Sequence, residues 1–183
     1  NQRGVPIVVV WPDFLPRDQA MPFDWVRSDG LEATSLGVNH LIQRGHRRIA
    51  FVFGATEDPT RHYRIKGYRL AFKEAGIPVD ESLFFPWVVD GEESSLWKRI
   101  ADHPSHPTAI FSFNEEVAIG LLHAIRFAGW RVPDDMAVVT DSDTRLIRFA
   151  EVPLTALNHQ AEAIARAVVD QLMAQIANPH ARP

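Results

Sequence analysis

The chain contains no cysteine, and this absence removes several classes of function. Disulfide frameworks, thiolate metal sites and cysteine nucleophiles are all excluded. No apolar run approaches the roughly 20 residues that are needed to span a bilayer. The first residues, Asn1-Gln2-Arg3-Gly4, do not resemble a signal peptide. We therefore expect a cytoplasmic protein that has no membrane partner.

Positive charge is also scarce. The sequence has 19 lysine and arginine residues against 23 aspartate and glutamate residues, which gives a net charge of -4. This balance provides no basic surface for nucleic acid, so any contact with DNA is expected outside this chain.

Motifs for catalysis and cofactor binding are missing as well. The patterns G-x-S-x-G, G-x-x-x-x-G-K and G-x-G-x-x-G do not occur. The sequence therefore predicts no catalytic residue and no cofactor. Asp102, His103 and His106 are metal-ligand types, but Pro104 and Pro107 indicate a loop there. A single cluster without a further partner predicts no metal site.

What the sequence does contain is an alternation of strand-like and helical patterns. With 183 residues, of which 46% are hydrophobic, it can form one substantial core or two small lobes. Helical patterns occupy about 30 to 44, 61 to 75, 92 to 102, 115 to 128 and 160 to 176. Strand-like runs begin near Val5, Ile49, Leu83, Ala109 and Ala137. This alternation predicts an α/β fold with a doubly wound parallel sheet, and Gly76 and Gly129 are expected to end two of the helices.

The most informative segment joins a helix end, a buried strand and a second helix. It reads Gly45-His46-Arg47-Arg48-Ile49-Ala50, followed by Arg64-Ile65-Lys66-Gly67-Tyr68. These two motifs and their order along the chain resemble those of the ligand-binding core of the lactose/galactose-repressor family. The resemblance continues through Pro107 to Phe111, Asn114, Val132 to Val139 and Pro153 to Leu157.

The resemblance implies a periplasmic-binding-protein-like fold with doubly wound parallel sheets in two lobes. Along that pattern, residues 1–44 would be the trailing part of an incomplete first lobe. Residues 45–156 would be the second lobe, and residues 157–183 would form a crossover and a helix returning to the first lobe. Family members carry a DNA-binding headpiece before this region, and we expect the present chain to be a fragment without it.

Two candidate ligand-binding residues follow strands of the predicted sheet. In open α/β sheets ligands bind beyond the carboxyl ends of the strands. Arg64 lies in the first turn of the helix after strand 49 to 53, where a guanidinium can hold hydroxyls or a carboxylate. Asn114 opens the helix after strand 109 to 113. The alternatives are a solvated arginine and a simple N-cap. The resemblance favours ligand contacts, because similar repressors use both residue types on the effector.

The loop after strand 137 to 140 departs from the family pattern. By straight counting, Thr140 replaces a glycine, Asp141 an aromatic residue and Ser142 the first aspartate, whereas Asp143 matches a second aspartate. A small shift of the loop could still place Asp141 or Asp143 in the crevice. A polar turn is the alternative interpretation of this loop.

Three further positions are candidates from the resemblance. His159 falls where relatives have a glutamine at the crossover between lobes, although it could equally cap the last helix. Asp29 matches an aspartate near the cleft, although aspartate is favoured at any helix start. Thr60 precedes Arg64 in a loop over the crevice.

The sequence thus predicts the effector-binding core of a bacterial transcriptional regulator, not an enzyme. A small polar metabolite, a sugar or a derivative of one, would bind between the lobes and control operator binding by a homodimer. A periplasmic sugar-binding protein of a transport system has the same fold and is the alternative.

Overall fold

The computed structural model of the chain describes residues 5–10, 23–54, 60–87 and 93–178. In chain order its elements are β1 (Val8–Val10), β2 (Asp24–Val26), α1 (Gly30–Gln43), β3 (Ile49–Phe53), α2 (Arg61–Glu74), β4 (Phe84–Pro86), α3 (Glu93–Ala101), β5 (Ala109–Ser112), α4 (Glu115–Phe127), β6 (Ala137–Thr140), β7 (Thr155–Ala156) and α5 (Ala161–Ala177). Short 3-10 helices lie at Glu81–Leu83 and Arg145–Phe149. All five predicted helices are confirmed, and each end differs from the prediction by at most one residue.

Two helices end at the glycines that the sequence indicated. Gly76 and Gly129 have φ angles of 68° and 83°, in the left-handed region that favours glycine. After α2, Gly76 donates its N–H to Lys73 O at 3.1 Å and Ile77 donates to Phe72 O at 2.9 Å. This pair of bonds satisfies carbonyl groups that a helix end leaves open. The prediction that these glycines stop the helices is therefore confirmed.

The chain divides into two compact units. The smaller comprises Asn1–Asp29 and His159–Pro183, and the larger comprises Gly30–Asn158. This division differs from the expected lobe boundary at residue 44, because α1 joins the larger unit. The reason is close packing: α1 lies against α2, and a Cβ built on Gly37 of α1 would come 2.3 Å from the ring of Phe111.

The larger unit is built on a five-stranded sheet. The strand order is β4-β3-β5-β6-β7, and every neighbouring pair is parallel, which confirms the predicted doubly wound architecture. All five residues of β3 are buried. A central strand covered by helices on both faces needs such a continuous apolar run, which explains the sequence Ile-Ala-Phe-Val-Phe. The edge strand β7 was not predicted as a strand.

The sheet has a different hydrophobic cluster on each face. On the α1/α2 face, Phe51, Phe53 and Phe111 pack against Tyr68, Phe72 and the apolar residues of α1. On the α3/α4 face, Val52, Ile110 and Val138 pack against Trp97 and the leucines of both helices. Successive strand residues alternate between the two clusters, as the pleat of a strand requires.

The smaller unit contains β1, β2 and α5. The two strands pair in parallel with Val8 opposite Asp24. Gln175 of α5 ties the helix to β2 and to the residue before β1: its Nε2 donates to an Asp24 carboxylate oxygen at 2.6 Å and to Ile7 O at 3.2 Å. Across the described ranges, no helix has both the length and the apolar character needed to cross a membrane.

Candidate functional site

The candidate site lies at the carboxyl edge of the five-stranded sheet, where β3, β5 and β6 end. Adjacent strands are pinned to one another there. Phe113 donates its N–H to Val52 O at 3.0 Å, and Asp141 donates its N–H to Ser112 O at 2.9 Å. These bonds continue the ladder one residue beyond the strands. They fix the backbone from which the functional side chains project.

Arg64 and Asp141 meet at this edge. The Nε of Arg64 lies 3.0 Å from Oδ2 of Asp141, and the two side chains are 19% and 1% exposed. A carboxylate this deeply buried requires a positive partner, since an isolated charge in the interior is strongly unfavourable. The sequence named both residues as candidates but did not predict that they would pair.

Helix α2 holds Arg64 at a defined position. The Arg64 N–H bonds to the carbonyl of Thr60 at 3.2 Å, in the first turn of the helix. One turn further on, the hydroxyl of Tyr68 donates to Ile49 O at 2.9 Å, which ties the helix to β3. Burial raises the pKa of the Tyr68 phenol, so the hydroxyl remains a neutral donor. Arg64 is therefore held from both its own turn and the next one.

Asn114 caps α4, as predicted. Its Oδ1 accepts the backbone N–H of Val117 at 3.0 Å, and its backbone is extended, with φ -153° and ψ 167°. The hydroxyl of Ser112 donates to the Asn114 carbonyl at 3.0 Å. The cap therefore has a fixed orientation where β5 ends.

Glu115 and Thr144 form a second polar contact at the edge. The Glu115 side chain is buried, at 8% exposed, and its Oε1 accepts from the hydroxyl of Thr144 at 2.6 Å. This bond connects the start of α4 to the loop after β6. Sequence reasoning did not predict this contact, because the two residues are 29 positions apart.

The loop after β6 separates its two aspartates. Asp141 is buried, whereas Asp143 is exposed and Ser142 is half-buried. The sequence left open which of these side chains would face the site. The structure brings Asp141 to Arg64, while Asp143 lies in the exposed part of the loop.

Arg61 is a residue at this edge that the sequence analysis did not select. It is the first residue of α2, and its guanidinium carbon lies 4.7 Å from the centre of the Phe53 ring. This is within the range of a cation-π contact. The signal for it was an arginine three positions before Arg64, on the same side of the helix, following a strand that ends in phenylalanine.

His159 and Asp29 belong to the smaller unit. The Nδ1 of His159 lies 2.9 Å from the hydroxyl oxygen of Ser28, and its side chain is half-buried. Gln160, not His159, occupies the N-cap position of α5, so the capping alternative for His159 is wrong. Asp29 is exposed and directly precedes α1.

The sequence predicted no metal site, and the Asp102 cluster that was considered is engaged in local contacts. Asp102 pairs with Lys98 at 2.5 Å, and His103 Nδ1 accepts the N–H of Ser105 at 3.2 Å. Among residues whose placement is described, there is no group of three or more histidine, aspartate or glutamate side chains that could hold a metal ion.

Together these features define an open α/β domain with a polar site at the carboxyl edge of its sheet. Residues 38–183 match the family model described as periplasmic binding protein-like domain. The chain therefore belongs to the periplasmic binding protein-like domain family. It corresponds to the effector-binding core of regulators of the lactose/galactose-repressor (LacI/GalR) family.

Individual relatives agree with this assignment. The HTH-type transcriptional repressor CytR of Escherichia coli (strain K12) is 30% identical over 185 residues, covering 98% of this chain and 52% of the repressor. The ribose operon repressor of the same organism is 28% identical over 183 residues, covering 97% of this chain and 54% of that protein. The chain thus spans about half the length of these curated relatives.

A solved structure of a regulator shares the fold. The transcriptional regulator CelR in complex with cellobiose has a TM-score of 0.81 and 28% identity, covering 98% of this chain and 55% of that one. The reported relatives are transcriptional regulators, so the transport-protein alternative is not favoured.

Proposed function

We propose that this chain is the part of a bacterial transcriptional regulator that senses a small polar metabolite, a sugar or a sugar derivative. The metabolite binds at the carboxyl edge of the five-stranded sheet and controls the binding of operator DNA by another part of the protein. The contact between Arg64 and Asp141 is the observation that carries this proposal. It supplies rigid hydrogen-bonding groups of both kinds where ligands of open α/β sheets bind.

The chemistry of the pair suits a polyhydroxylated ligand. The guanidinium only donates hydrogen bonds, and an ionised carboxylate only accepts them. A sugar hydroxyl does both, so neighbouring hydroxyls can bond to each partner. Asn114 and Thr60 lie at the same edge and are proposed as further contacts, together with Asp143, His159 and Asp29 from the family pattern. The solved structure of CelR, which shares the fold, is a complex with cellobiose, and this supports the class of ligand.

The proposed mechanism is a change in the population of two protein arrangements. A ligand that binds one arrangement more tightly shifts the equilibrium toward it, and such couplings typically amount to about 1 to 3 kcal/mol. In the regulator we propose a homodimer in the cytoplasm whose affinity for operator DNA depends on this equilibrium. Binding, not turnover, is the proposed role, so chemical conversion of the bound metabolite would contradict it.

The test is a ligand screen on the full-length regulator with Arg64 as the probe. Neutral sugars, sugar acids, sugar phosphates and nucleosides are screened by thermal shift, since a ligand at 100 times its dissociation constant stabilises a fold by about 2.7 kcal/mol. Calorimetry then compares Arg64→Ala with the wild type. Loss of charge-assisted bonds should weaken binding by roughly 1.5 to 3 kcal/mol.

Arg69→Ala is the matched control for this variant. Arg69 lies on the same helix, is exposed, and pairs with Glu81, so its removal changes the net charge equally but leaves the candidate site intact. We expect it to bind the ligand as the wild type does. Equal loss of affinity in both variants, or none in Arg64→Ala with an intact fold, would remove Arg64 from the site.

A second measurement addresses control of DNA binding. The affinity of the full-length regulator for operator DNA is compared with and without the metabolite identified in the screen. Linkage requires that a metabolite which changes DNA affinity has a different affinity for the free and the DNA-bound protein. Identical metabolite affinity in both states would refute the sensing role.

A further inference from the structure

Among the described residues of the carboxyl edge, the charge of Arg64 faces an opposite charge within the larger unit. Arg64 and Asp141 approach to 3.0 Å, with side chains 19% and 1% exposed. At such a short distance and low exposure, the negative charge of Asp141 opposes much of the field that Arg64 would otherwise present to a ligand. An arginine that is neutralised in this way remains a hydrogen-bond donor but is a weaker receptor for anions.

A second arginine and a second carboxylate among the described residues also lie at this edge. The guanidinium of Arg61 lies on the ring of Phe53, and the buried Glu115 carboxylate accepts from Thr144. Two positive groups, Arg61 and Arg64, therefore accompany two negative groups, Asp141 and Glu115. The exposed Asp143 adds a further negative charge in the same loop as Asp141.

We propose that the metabolite carries no net charge, and that Asp141 determines this specificity. The inference rests on the proposed function and names the ligand class for the same site: a neutral sugar, polyol or nucleoside. A phosphate or carboxylate that approached Arg64 would displace the buried Asp141 or lie beside it. Displacement would separate the buried Asp141 carboxylate from Arg64, and an anion beside Asp141 would be repelled by its like charge. Both outcomes oppose binding. A neutral hydroxyl meets neither penalty, because it can donate to Asp141 and accept from Arg64.

The first part of the test uses the wild-type, full-length regulator and matched pairs of compounds. The pairs are D-glucose and D-glucuronate, D-ribose and D-ribose 5-phosphate, and adenosine and adenosine 5′-monophosphate. For the pair whose scaffold binds, calorimetry should show the neutral member binding at least about tenfold more tightly, as expected for one unfavourable charge contact. Equal or tighter binding of the anionic member would overturn the proposal. If no member of any pair, nor any compound of the wider screen, binds, the proposed function itself fails.

The second part changes Asp141 without changing its shape. In Asp141→Asn the carboxylate becomes a neutral amide, so residue 141 no longer opposes the charge of Arg64. The preference for the neutral member should fall by about tenfold or more, mainly through tighter binding of the anionic member. The control is Asp134→Asn, which removes an equal charge from the exposed loop before β6, where Asp134 faces Arg131 at 3.5 Å. An unchanged preference in Asp141→Asn would refute the role of Asp141.

Loss of the partner of Arg64 could destabilise Asp141→Asn, so a double variant is included. Arg64→Gln with Asp141→Asn removes both charges and leaves no buried ion alone. It should bind both members of a pair weakly and with similar affinity. A strong preference for the neutral member that persists in the double variant would show that other groups set the specificity, and would overturn the assignment to Asp141.

Discussion

The two faces of the five-stranded sheet are packed by different means. On the α1/α2 face, aromatic rings form a continuous network. The centre of the Phe51 ring lies 5.4 Å from that of Tyr68 and 5.8 Å from that of Phe111. Here the helices also approach closely, since a Cβ on Gly67 would meet the carbonyl oxygen of Leu31 at 2.3 Å. On the α3/α4 face, aliphatic side chains dominate. The three atoms nearest to a Cβ on Gly120 all belong to the flexible side chain of Glu93, and the nearest, Cγ, would also lie at 2.3 Å.

The difference indicates which face positions the candidate site. Arg64 is part of α2, and α2 is held by the close contact at Gly67 and by the hydrogen bond of Tyr68. Side chains that must meet a ligand in a defined geometry require such support. Substitutions on the α1/α2 face should therefore be poorly tolerated, and they should also alter the affinity for the ligand. The α3/α4 face should accommodate small changes with little effect on binding.

The largest effect is expected from removing a ring at the centre of the α1/α2 face. Phe51 and Ile110 are both fully buried, one in each cluster. Phe51→Ala should lower the free energy of unfolding by about 3 to 5 kcal/mol, whereas Ile110→Val should lower it by about 0.5 to 1.5 kcal/mol. Urea unfolding followed by circular dichroism measures both. A loss for Phe51→Ala as small as that for Ile110→Val would contradict the central place of the Phe51 ring in the aromatic network.

An intermediate effect is expected for Gly67→Ala. The new methyl group meets backbone, which cannot move aside cheaply, so we expect a loss of about 1 to 3 kcal/mol from overpacking. Because Arg64 lies three residues earlier on the same helix, affinity for the metabolite should fall as well.

Gly120→Ala provides the comparison for Gly67→Ala. Alanine favours the helix over glycine by about 1 kcal/mol, and the Glu93 side chain can move away. The variant should be as stable as the wild type or slightly more stable, with unchanged affinity. Equal destabilisation of both variants in urea unfolding would show that the two faces are packed equally closely.

Among the changes on the α1/α2 face, the smallest loss of stability is expected for Tyr68→Phe. It keeps the ring in the aromatic network but removes the hydroxyl that donates to Ile49 O at 2.9 Å. Loss of this hydrogen bond should cost about 1 kcal/mol. Thermal unfolding and ligand calorimetry can be measured on the same sample. A loss above that of Gly67→Ala would mean that the hydroxyl, not the close helix contact, holds α2.

The fold was predictable because several local signals agreed. Gly76 and Gly129 mark helix ends by their backbone conformation, and Asn114 marks a helix start by its capping oxygen. The strand β7 was missed because two residues at an edge carry too little pattern to identify. The place of α1 in the larger unit was missed because it depends on close packing at Gly37 and Gly67. Helical spacing shows which residues a helix buries, but it does not show which neighbour covers them.

The site was predictable in its residues but not in its contacts. Strand ends and the family pattern identified Arg64, Asn114 and Asp141. Straight counting placed Asp141 where relatives have an aromatic residue, so nothing in the sequence indicated its pairing with Arg64. That contact depends on where a loop leaves β6, and loop paths follow from tertiary packing that spacing does not encode. The bond between Thr144 and Glu115 was missed for the same reason.

The two ends of the Asn114 side-chain amide can have different roles, one in capping α4 and one in binding a ligand. Its oxygen is committed to the backbone of α4, so the group with which this side chain can address a metabolite is its nitrogen, which donates hydrogen bonds. Serine, threonine or aspartate would preserve the start of the helix but would bring no amide donor. Glutamine would bring the donor but would set its oxygen one methylene farther from Val117. Under the proposed function, asparagine is the residue at this position that combines folding and recognition, and a hydrogen-bond acceptor of the ligand is what its amide nitrogen would bind.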